Sequence, residues 1–179
     1  MYDNSENDYL KQQYAAARNK YKPSHIKTLL IAEAPPNNID RYFYFEDVKS
    51  HDSLFLEIMG ILYPDLKKRY LAKRRDTELK QELLENFKED GYWLMNLSEL
   101  PMGLFDIAAE DLLPSLIKRL ERHIEKSTPI ILIKANFFDM AYPVLLAKGY
   151  HVINERLPFP GSGQQGVFRT KFKKALQSC

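Results

Sequence analysis

Short apolar runs alternate with segments of helical periodicity along most of this chain. Three such runs begin near residues 28, 92 and 130, and a fourth, shorter one begins near 150. Runs of this length, bounded by proline, glycine or polar residues, are typical of strands buried on both faces of a sheet. Between them, apolar residues recur at helical spacing, most clearly from Leu112 to Ile124. The alternation predicts an α/β fold, a three-layer α/β/α sandwich with a central, mostly parallel sheet of about four strands.

The segment before the first strand has a helical pattern of its own. Ser5 is placed to cap a helix that runs to about Lys20, with Leu10 and Tyr14 on one face. The composition is even along the chain, without an internal repeat or a linker. We therefore expect residues 1–179 to form a single domain, in which residues 1–25 are an N-terminal helical extension.

Composition narrows the class of protein. Hydrophobic residues make up 45% and charged residues 28% of the chain, which is typical of folded proteins and argues against disorder. The single cysteine, Cys179, excludes an internal disulfide and a four-cysteine cluster. No apolar run reaches the roughly 18 residues of a membrane span, and the polar first residues do not resemble a signal peptide. We expect a cytoplasmic protein without membrane contact.

Positive charge is concentrated in two segments, although the net charge is only +2. Residues 67–75 contain six lysines and arginines and no acidic residue, and residues 156–179 contain five more, again without an acidic residue. Such a segment is either a solvated helix face or a surface that binds phosphates. The sequence leaves both interpretations open.

The carboxyl ends of parallel strands meet at one edge of a sheet, and ligands bind there. The first strand is followed by Ala32-Glu33-Ala34-Pro35-Pro36 and an aromatic loop, and the second strand ends near Asn96. A late loop, residues 157–165, contains two prolines and two glycines, and the segment 134–136 lies at the same edge. A binding site is therefore expected where these segments meet.

The order and placement of these segments resemble the motifs of the uracil-DNA glycosylase superfamily. Ala32-Glu33-Ala34-Pro35-Pro36 resembles the first motif of its iron–sulfur branch, and Leu94-Met95-Asn96-Leu97 resembles its uracil-reading strand. Residues 158–162 resemble the second motif, and the whole resemblance spans about residues 28–174. It implies a glycosylase-like domain with the first strand central, which acts as a monomer and hydrolyses the N-glycosidic bond of a flipped uracil or related damaged base in DNA.

The sequence departs from the family pattern in three respects. The four cysteines of the iron–sulfur branch are absent. Ala34 stands where the most active branch has a water-activating aspartate, and Phe159 stands where the second motif has its histidine. None of the four histidines, His25, His51, His123 and His151, matches that second position. With no cluster of histidine, cysteine and aspartate at ligand spacing, we expect neither a metal nor another cofactor.

The resemblance implies a role for each residue of the predicted base site. Glu33 is the expected catalytic residue, which orients water or stabilises the positively charged sugar. Asn96 carries donors and an acceptor, so it can pair with both N3–H and O4 of uracil. The remaining base contacts are expected from Ala34, Pro35 and either Phe43 or Phe45, one of which stacks on the base. The alternatives are a capping glutamate, an asparagine that pairs with a loop, and aromatic residues that fill a loop.

Phosphate contacts are expected from the late loop and the helix after it. Backbone N–H groups of a glycine-rich turn can bind a phosphate, and basic side chains add charge. The residues concerned are Gly161, Ser162, Gly163, Arg169, Lys171 and Lys173. A plain glycine–proline turn followed by a solvated helix is the alternative.

Two other functions fit the sequence. The chain is alternatively a non-catalytic DNA-binding relative of the same fold, which the loss of the second-motif histidine favours. An unrelated small α/β hydrolase or nucleotide-binding enzyme is the third hypothesis. It is disfavoured because the sequence contains neither a Gly-x-Ser-x-Gly nor a Gly-x-x-x-x-Gly-Lys-Ser/Thr motif.

Overall fold

Helices and parallel strands alternate along the chain. The structure is a computed structural model that describes residues 4–104, 106–161 and 163–179. The principal elements are α1 (Asn4–Lys20), β1 (Thr28–Ala32), α2 (Ser53–Leu62), α3 (Pro64–Ala72), α4 (Thr77–Glu89), β2 (Tyr92–Asn96), α5 (Leu113–His123), β3 (Ile130–Leu132), α6 (Ala135–Ala147) and α7 (Gln165–Gln177). Short 3₁₀ helices occur at Ile39–Arg41, Met102–Leu104 and Ala109–Leu112. No helix among the described residues is long and apolar enough to span a membrane.

The sheet has the order β2-β1-β3, and both pairings are parallel. The α/β fold with a parallel sheet and a central first strand is thereby confirmed. Three strands form instead of about four. In place of the fourth strand, Val152 makes a single bridge to Ile130. The pairing is confined to Ile130, whose N–H donates to the carbonyl of His151 and whose carbonyl accepts from the N–H of Ile153.

The sheet is covered on both faces, since every residue of β1 and β3 is buried. Helix α4 packs against β2, α6 packs against β3, and α2 contacts both α3 and α7.

Pro64 ends the apolar pattern of α2, but it is also the first residue of α3. Proline is favoured at this position because a first-turn N–H has no partner within the helix. Residues 67–72 of the first basic segment are therefore helical.

Helix α1 belongs to the core. Tyr14 and Tyr21 are almost completely buried. The hydroxyl of Tyr14 donates to the carbonyl of Pro36 at 2.6 Å, and the indole N–H of Trp93 donates to the carbonyl of Arg18 at 3.3 Å. These contacts fasten α1 to β2 and to the loop after β1, so the segment 1–25 helps to hold the loop that follows the first strand.

Candidate functional site

A cavity of about 240 Å³ lies at the carboxyl edge of the sheet. We call it the Asn96 cavity. It is lined by residues 34–36, 41–43 and 51–55, by Leu94 and Asn96 of β2, and by Phe159. The loop after β1, the end of β2 and the late loop thus meet at one place, where ligands bind in parallel sheets.

Asn96 is the last residue of β2 and pairs in register with Ala32 of β1. It is only 4% exposed, and its backbone carbonyl accepts a hydrogen bond of 2.8 Å from the Arg119 guanidinium. Its side chain makes no hydrogen bond to any described residue. Arg119 also donates to the carbonyl of Leu97. This buried arginine of α5 therefore holds the end of β2 in place and leaves the Asn96 carboxamide for the cavity.

Of the two candidate stacking residues, Phe43 lines the Asn96 cavity. Its ring packs edge-on against the ring of Phe55, with the ring centroids 5.3 Å apart. Phe45 lies outside this cavity and lines a different surface depression with Asp40 and Arg41. Ala34 and Pro35 line the Asn96 cavity as expected. Loop geometry thus places Phe43, and not Phe45, in the lining of the Asn96 cavity.

Glu33 does not line the Asn96 cavity, so the expectation of one shared cavity is wrong for this residue. It lines a neighbouring cavity of about 390 Å³, here called the Glu33 cavity. The two cavities share residues 34–36 and Phe159, which form the wall between them. The chain bends at Glu33, and residues 34–36 after this bend line both cavities. Glu33 and Asn96 therefore line two neighbouring cavities.

Lys134 is the residue of this region to which the sequence assigned no role. Its ammonium group forms an ion pair with the Glu33 carboxylate. Its backbone has φ 91° and ψ 125°, a conformation that residues other than glycine rarely adopt. Strained backbone of this kind clusters at functional sites, because the surrounding structure must hold it in place. The only sequence signal was its position directly after β3.

Phe159 lies between the cavities. It is 44% exposed and lines the Asn96 cavity, the Glu33 cavity and a third cavity of about 260 Å³ that contains Gly161. Of the expected phosphate-binding turn, Gly163 has a positive φ of 81° and lines none of the three cavities, and Ser162 lies outside the described residues. Of the described residues of the 159–163 loop, only Phe159 therefore lines the Asn96 cavity.

Most basic residues of the C-terminal segment have partners. Arg169 approaches Glu57 of α2 to 3.5 Å, and Lys171 donates to the backbone carbonyl of Arg156 at 2.9 Å. Lys174 pairs with Glu155, whereas no partner of Lys173 occurs among the described residues. The side chains of Arg169 and Lys174 are half exposed or more, and Lys171 is partly buried. Arg169, Lys171 and Lys174 are therefore weaker candidates for phosphate binding than the sequence indicates.

The basic segment 67–75 differs from the C-terminal segment in the number of its cations that form ion pairs. Arg75 donates through Nε and Nη2 to Asp52, with both distances 3.1 Å. For the other five cations, no ion pair occurs within the described parts of the chain. Since Asp52 lines the Asn96 cavity, this pair places the end of the basic segment beside that cavity.

A buried lysine lies against Phe55, one of the residues that line the Asn96 cavity. Lys80 of α4 is completely buried, its ammonium group has no hydrogen-bond partner, and it lies 4.4 Å from the centre of the Phe55 ring. Burial lowers the pKa of Lys80 from 10.5 to about 7, although Asp52 and Glu46 act in the opposite direction. Burial likewise raises the pKa of the neighbouring Tyr70 hydroxyl well above its usual value.

Comparison of the chain with protein-family models, with curated proteins and with solved structures found no match. Within the described residues, no group of three or more histidine, cysteine, aspartate or glutamate side chains is arranged to hold a metal ion. The features that the described residues offer for chemistry are the Asn96 cavity, the Glu33–Lys134 pair beside it and the basic segment, whose Arg75 pairs with Asp52 of the cavity lining.

Proposed function

We propose that this protein is a DNA N-glycosylase that hydrolyses the N-glycosidic bond of a flipped uracil or a related damaged base. The observation that carries the proposal is the carboxamide of Asn96, which lines the Asn96 cavity and makes no hydrogen bond to any described residue, while the residue as a whole is only 4% exposed. A ligand that fills the cavity displaces the water in contact with this amide, which favours a ligand that offers hydrogen bonds in return. A base edge with a donor beside an acceptor is such a ligand.

The Asn96 cavity, with a volume of about 240 Å³, offers room for a nucleobase. The ring of Phe43 and the apolar groups of Ala34 and Pro35 provide surface for the faces of the base.

The Glu33 cavity is placed to receive the sugar of the flipped nucleotide. In the proposed reaction the C1′–N bond breaks, its electron pair leaves with the base, and positive charge develops on the sugar. The Glu33 carboxylate stabilises that charge and accepts a proton from the water that bonds to C1′. This proton is then released to the departed base. Lys134 holds the Glu33 carboxylate in position through their ion pair.

A second candidate function is a DNA-binding relative without catalytic activity. One observation favours it: the Glu33 carboxylate is already paired with Lys134, and neither Ala34 nor Phe159 can orient water or donate a hydrogen bond. Release of free uracil from single- and double-stranded oligonucleotides, measured together with a gel shift, separates the two functions. The glycosylase releases uracil, whereas the non-catalytic relative only shifts the DNA.

Replacing Asn96 by alanine is expected to reduce the discrimination between uracil and cytosine about 10- to 100-fold. The reason is that a two-point pairing with a base edge contributes about 1–3 kcal/mol of discrimination. The measurement is excision from oligonucleotides that carry either base at the same position. Asn136→Ala is the matched control, since Asn136 lies at the same sheet edge but outside the Asn96 cavity. Unchanged discrimination in Asn96→Ala would remove the base-reading role from this residue.

Binding to DNA is expected to weaken steeply with salt, mainly because of the basic segment 67–75. Each lost phosphate contact lowers the slope of log K against log salt concentration by about 0.7–0.9. Substitution of Lys68, Arg69, Lys73 and Arg74 by glutamine should therefore reduce the slope by about 2–4. The control is Arg169→Gln with Lys171→Gln, which should change the slope less because these cations already have partners. An equal slope in both variants would refute this assignment.

A further inference from the structure

The Glu33 cavity contains a primary amine in contact with a carboxylate. Among the described residues that line it, Lys134 and Glu33 are the two with titratable side chains, and they form an ion pair with each other. Their side chains are 39% and 25% exposed, so a molecule in the cavity can reach both. Once it has lost a proton, a lysine amine attacks carbonyl carbon, and a carboxylate in contact with it can accept that proton.

The backbone of Lys134 gives an independent reason to assign a function to its side chain. Its φ of 91° lies in the region that residues other than glycine rarely adopt. Glycine would occupy this position without strain but would carry no amine. Strained residues are maintained mainly at functional sites. The strain at Lys134 therefore favours a role for the amine itself.

The other cations of this region are not suited to react with a carbonyl group. Among the described residues, Lys134 is the only lysine that lines either the Asn96 cavity or the Glu33 cavity. Lys80 lies nearby, but it is completely buried and lines neither cavity. Arg41 lines the Asn96 cavity, but its guanidinium stays protonated and is no nucleophile. An aldehyde that enters the Glu33 cavity thus meets one reactive amine.

We propose that Lys134 forms an imine with the abasic sugar that remains after base release, and that the protein then cleaves the DNA strand at this sugar. This inference rests on the proposed function, which places the sugar in the Glu33 cavity. Hydrolysis of the N-glycosidic bond leaves C1′ as a hemiacetal that opens to an aldehyde. The substrate class of the further activity is therefore an abasic site in DNA, and the activity is that of a lyase.

Formation of the imine needs no further reactant. The Lys134 ammonium gives one proton to Glu33, and the neutral Nζ bonds to C1′ while an electron pair of the C=O bond moves to the oxygen. A proton then passes from the nitrogen to this oxygen. The resulting hydroxyl takes the proton from Glu33 and leaves as water. The product is a protonated imine beside a carboxylate, as the charges of the ion pair require.

Strand cleavage follows by β-elimination from the protonated imine. The positive charge on Nζ makes the hydrogen atoms on C2′ acidic, and the Glu33 carboxylate accepts one of them as a proton. A double bond forms between C2′ and C3′, the C3′–O bond breaks, and its electron pair leaves with the phosphate. Water finally hydrolyses the imine and restores the amine of Lys134.

The test uses DNA with a preformed abasic site, so that it does not depend on uracil excision by this protein. Sodium borohydride reduces an imine to a stable amine, which leaves the protein covalently attached to the DNA. We expect the parent to form this adduct and, without borohydride, to cleave the strand at the abasic site. DNA that carries tetrahydrofuran in place of the abasic sugar has no aldehyde and should give neither result.

Lys134→Arg is the decisive variant, because arginine keeps a positive charge beside Glu33 but forms no imine. It should lose both the adduct and the strand cleavage. Lys20→Met is the matched control: Lys20 also pairs with a glutamate, Glu46, but lines neither cavity, so this variant should form as much adduct as the parent. Mass spectrometry of the digested parent adduct, which needs no variant, should locate the DNA fragment on Lys134.

Three results would overturn the inference: no adduct with the parent, an equal amount of adduct with Lys134→Arg, or an adduct mapped to another lysine. The proposed function is tested separately, by release of uracil from uracil-containing DNA. A parent that releases uracil but forms no adduct keeps the proposed function and refutes the lyase step. A parent that forms the adduct on Lys134 but releases no uracil refutes the proposed function and supports the lyase step.

Discussion

Glu33→Gln is expected to slow uracil excision at least about 100-fold and to leave DNA affinity within about twofold. The substitution keeps the shape of the side chain but removes its charge, so it cannot stabilise the sugar or accept a proton from water. General-base catalysis by a positioned carboxylate typically contributes about 10²–10⁴ in rate. The measurements are single-turnover excision, which isolates the chemical step, and a binding titration with the same oligonucleotide.

Glu46→Gln is the matched control for this change. The side chains of Glu33 and Glu46 are both 25% exposed, and each pairs with one lysine, Lys134 and Lys20 respectively. Glu46 lies away from the Asn96 and Glu33 cavities, so the excision rate of Glu46→Gln should stay close to that of the parent. A Glu33→Gln variant that cleaves as fast as Glu46→Gln would mean that Glu33 is structural.

Lys80→Met is expected to raise the free energy of unfolding at pH 7 by about 4–5 kcal/mol. Above pH 10.5 the lysine is neutral in both states and carries no electrostatic penalty. As the pH falls from 10.5 to about 7, the unfolded chain binds a proton that the native protein does not, so the native state loses stability throughout this range. Below about pH 7 both states bind the proton and the penalty stays constant. A lowering of the pKa from 10.5 to about 7 corresponds to a penalty of about 4–5 kcal/mol.

The measurement is denaturant unfolding of the parent and of Lys80→Met at several values between pH 7 and 10. The difference between the two proteins should shrink as the pH rises, because the parent regains stability. Lys88→Met on the same helix is the control, since Lys88 is partly exposed and should change stability by no more than about 0.5 kcal/mol. A Lys80→Met protein that is less stable than the parent at pH 7 would contradict the buried, unpaired state of this lysine.

Periodicity is sufficient for the layers of this fold but not for its details. Uninterrupted apolar runs identify β1, β2 and β3, because strands buried on both faces have few polar residues. The same reasoning fails at residues 150–153, where the apolar character is present but the ladder stops after one bridge. It also fails at Pro64, which ends one helix and begins the next. A local pattern reports burial, whereas the length of a ladder depends on where the neighbouring chain turns.

For the candidate site, too, the sequence motifs predict some of the lining residues and miss others. Motif order placed Asn96, Ala34 and Pro35 at one edge of the sheet, and they do line one cavity. The motif says nothing about Lys134 or His51, because each reaches the site from a segment far away in the sequence. Nor does it separate Phe43 from Phe45, since the choice depends on the path of the loop between residues 41 and 46.

The sequence by itself determined the α/β class and the edge at which polar residues gather, because periodicity and strand ends are local properties, whereas the central position of the first strand was an expectation from the family resemblance alone. Only the tertiary structure decided that Glu33 and Asn96 occupy adjacent cavities and that Lys134 pairs with Glu33. It alone placed the first turn of α2 in the lining of the Asn96 cavity and joined that lining to the basic segment through the bonds between Asp52 and Arg75. Such pairings join residues that lie far apart in the chain. They depend on how helices pack on the sheet, which a pattern of neighbouring residues does not record.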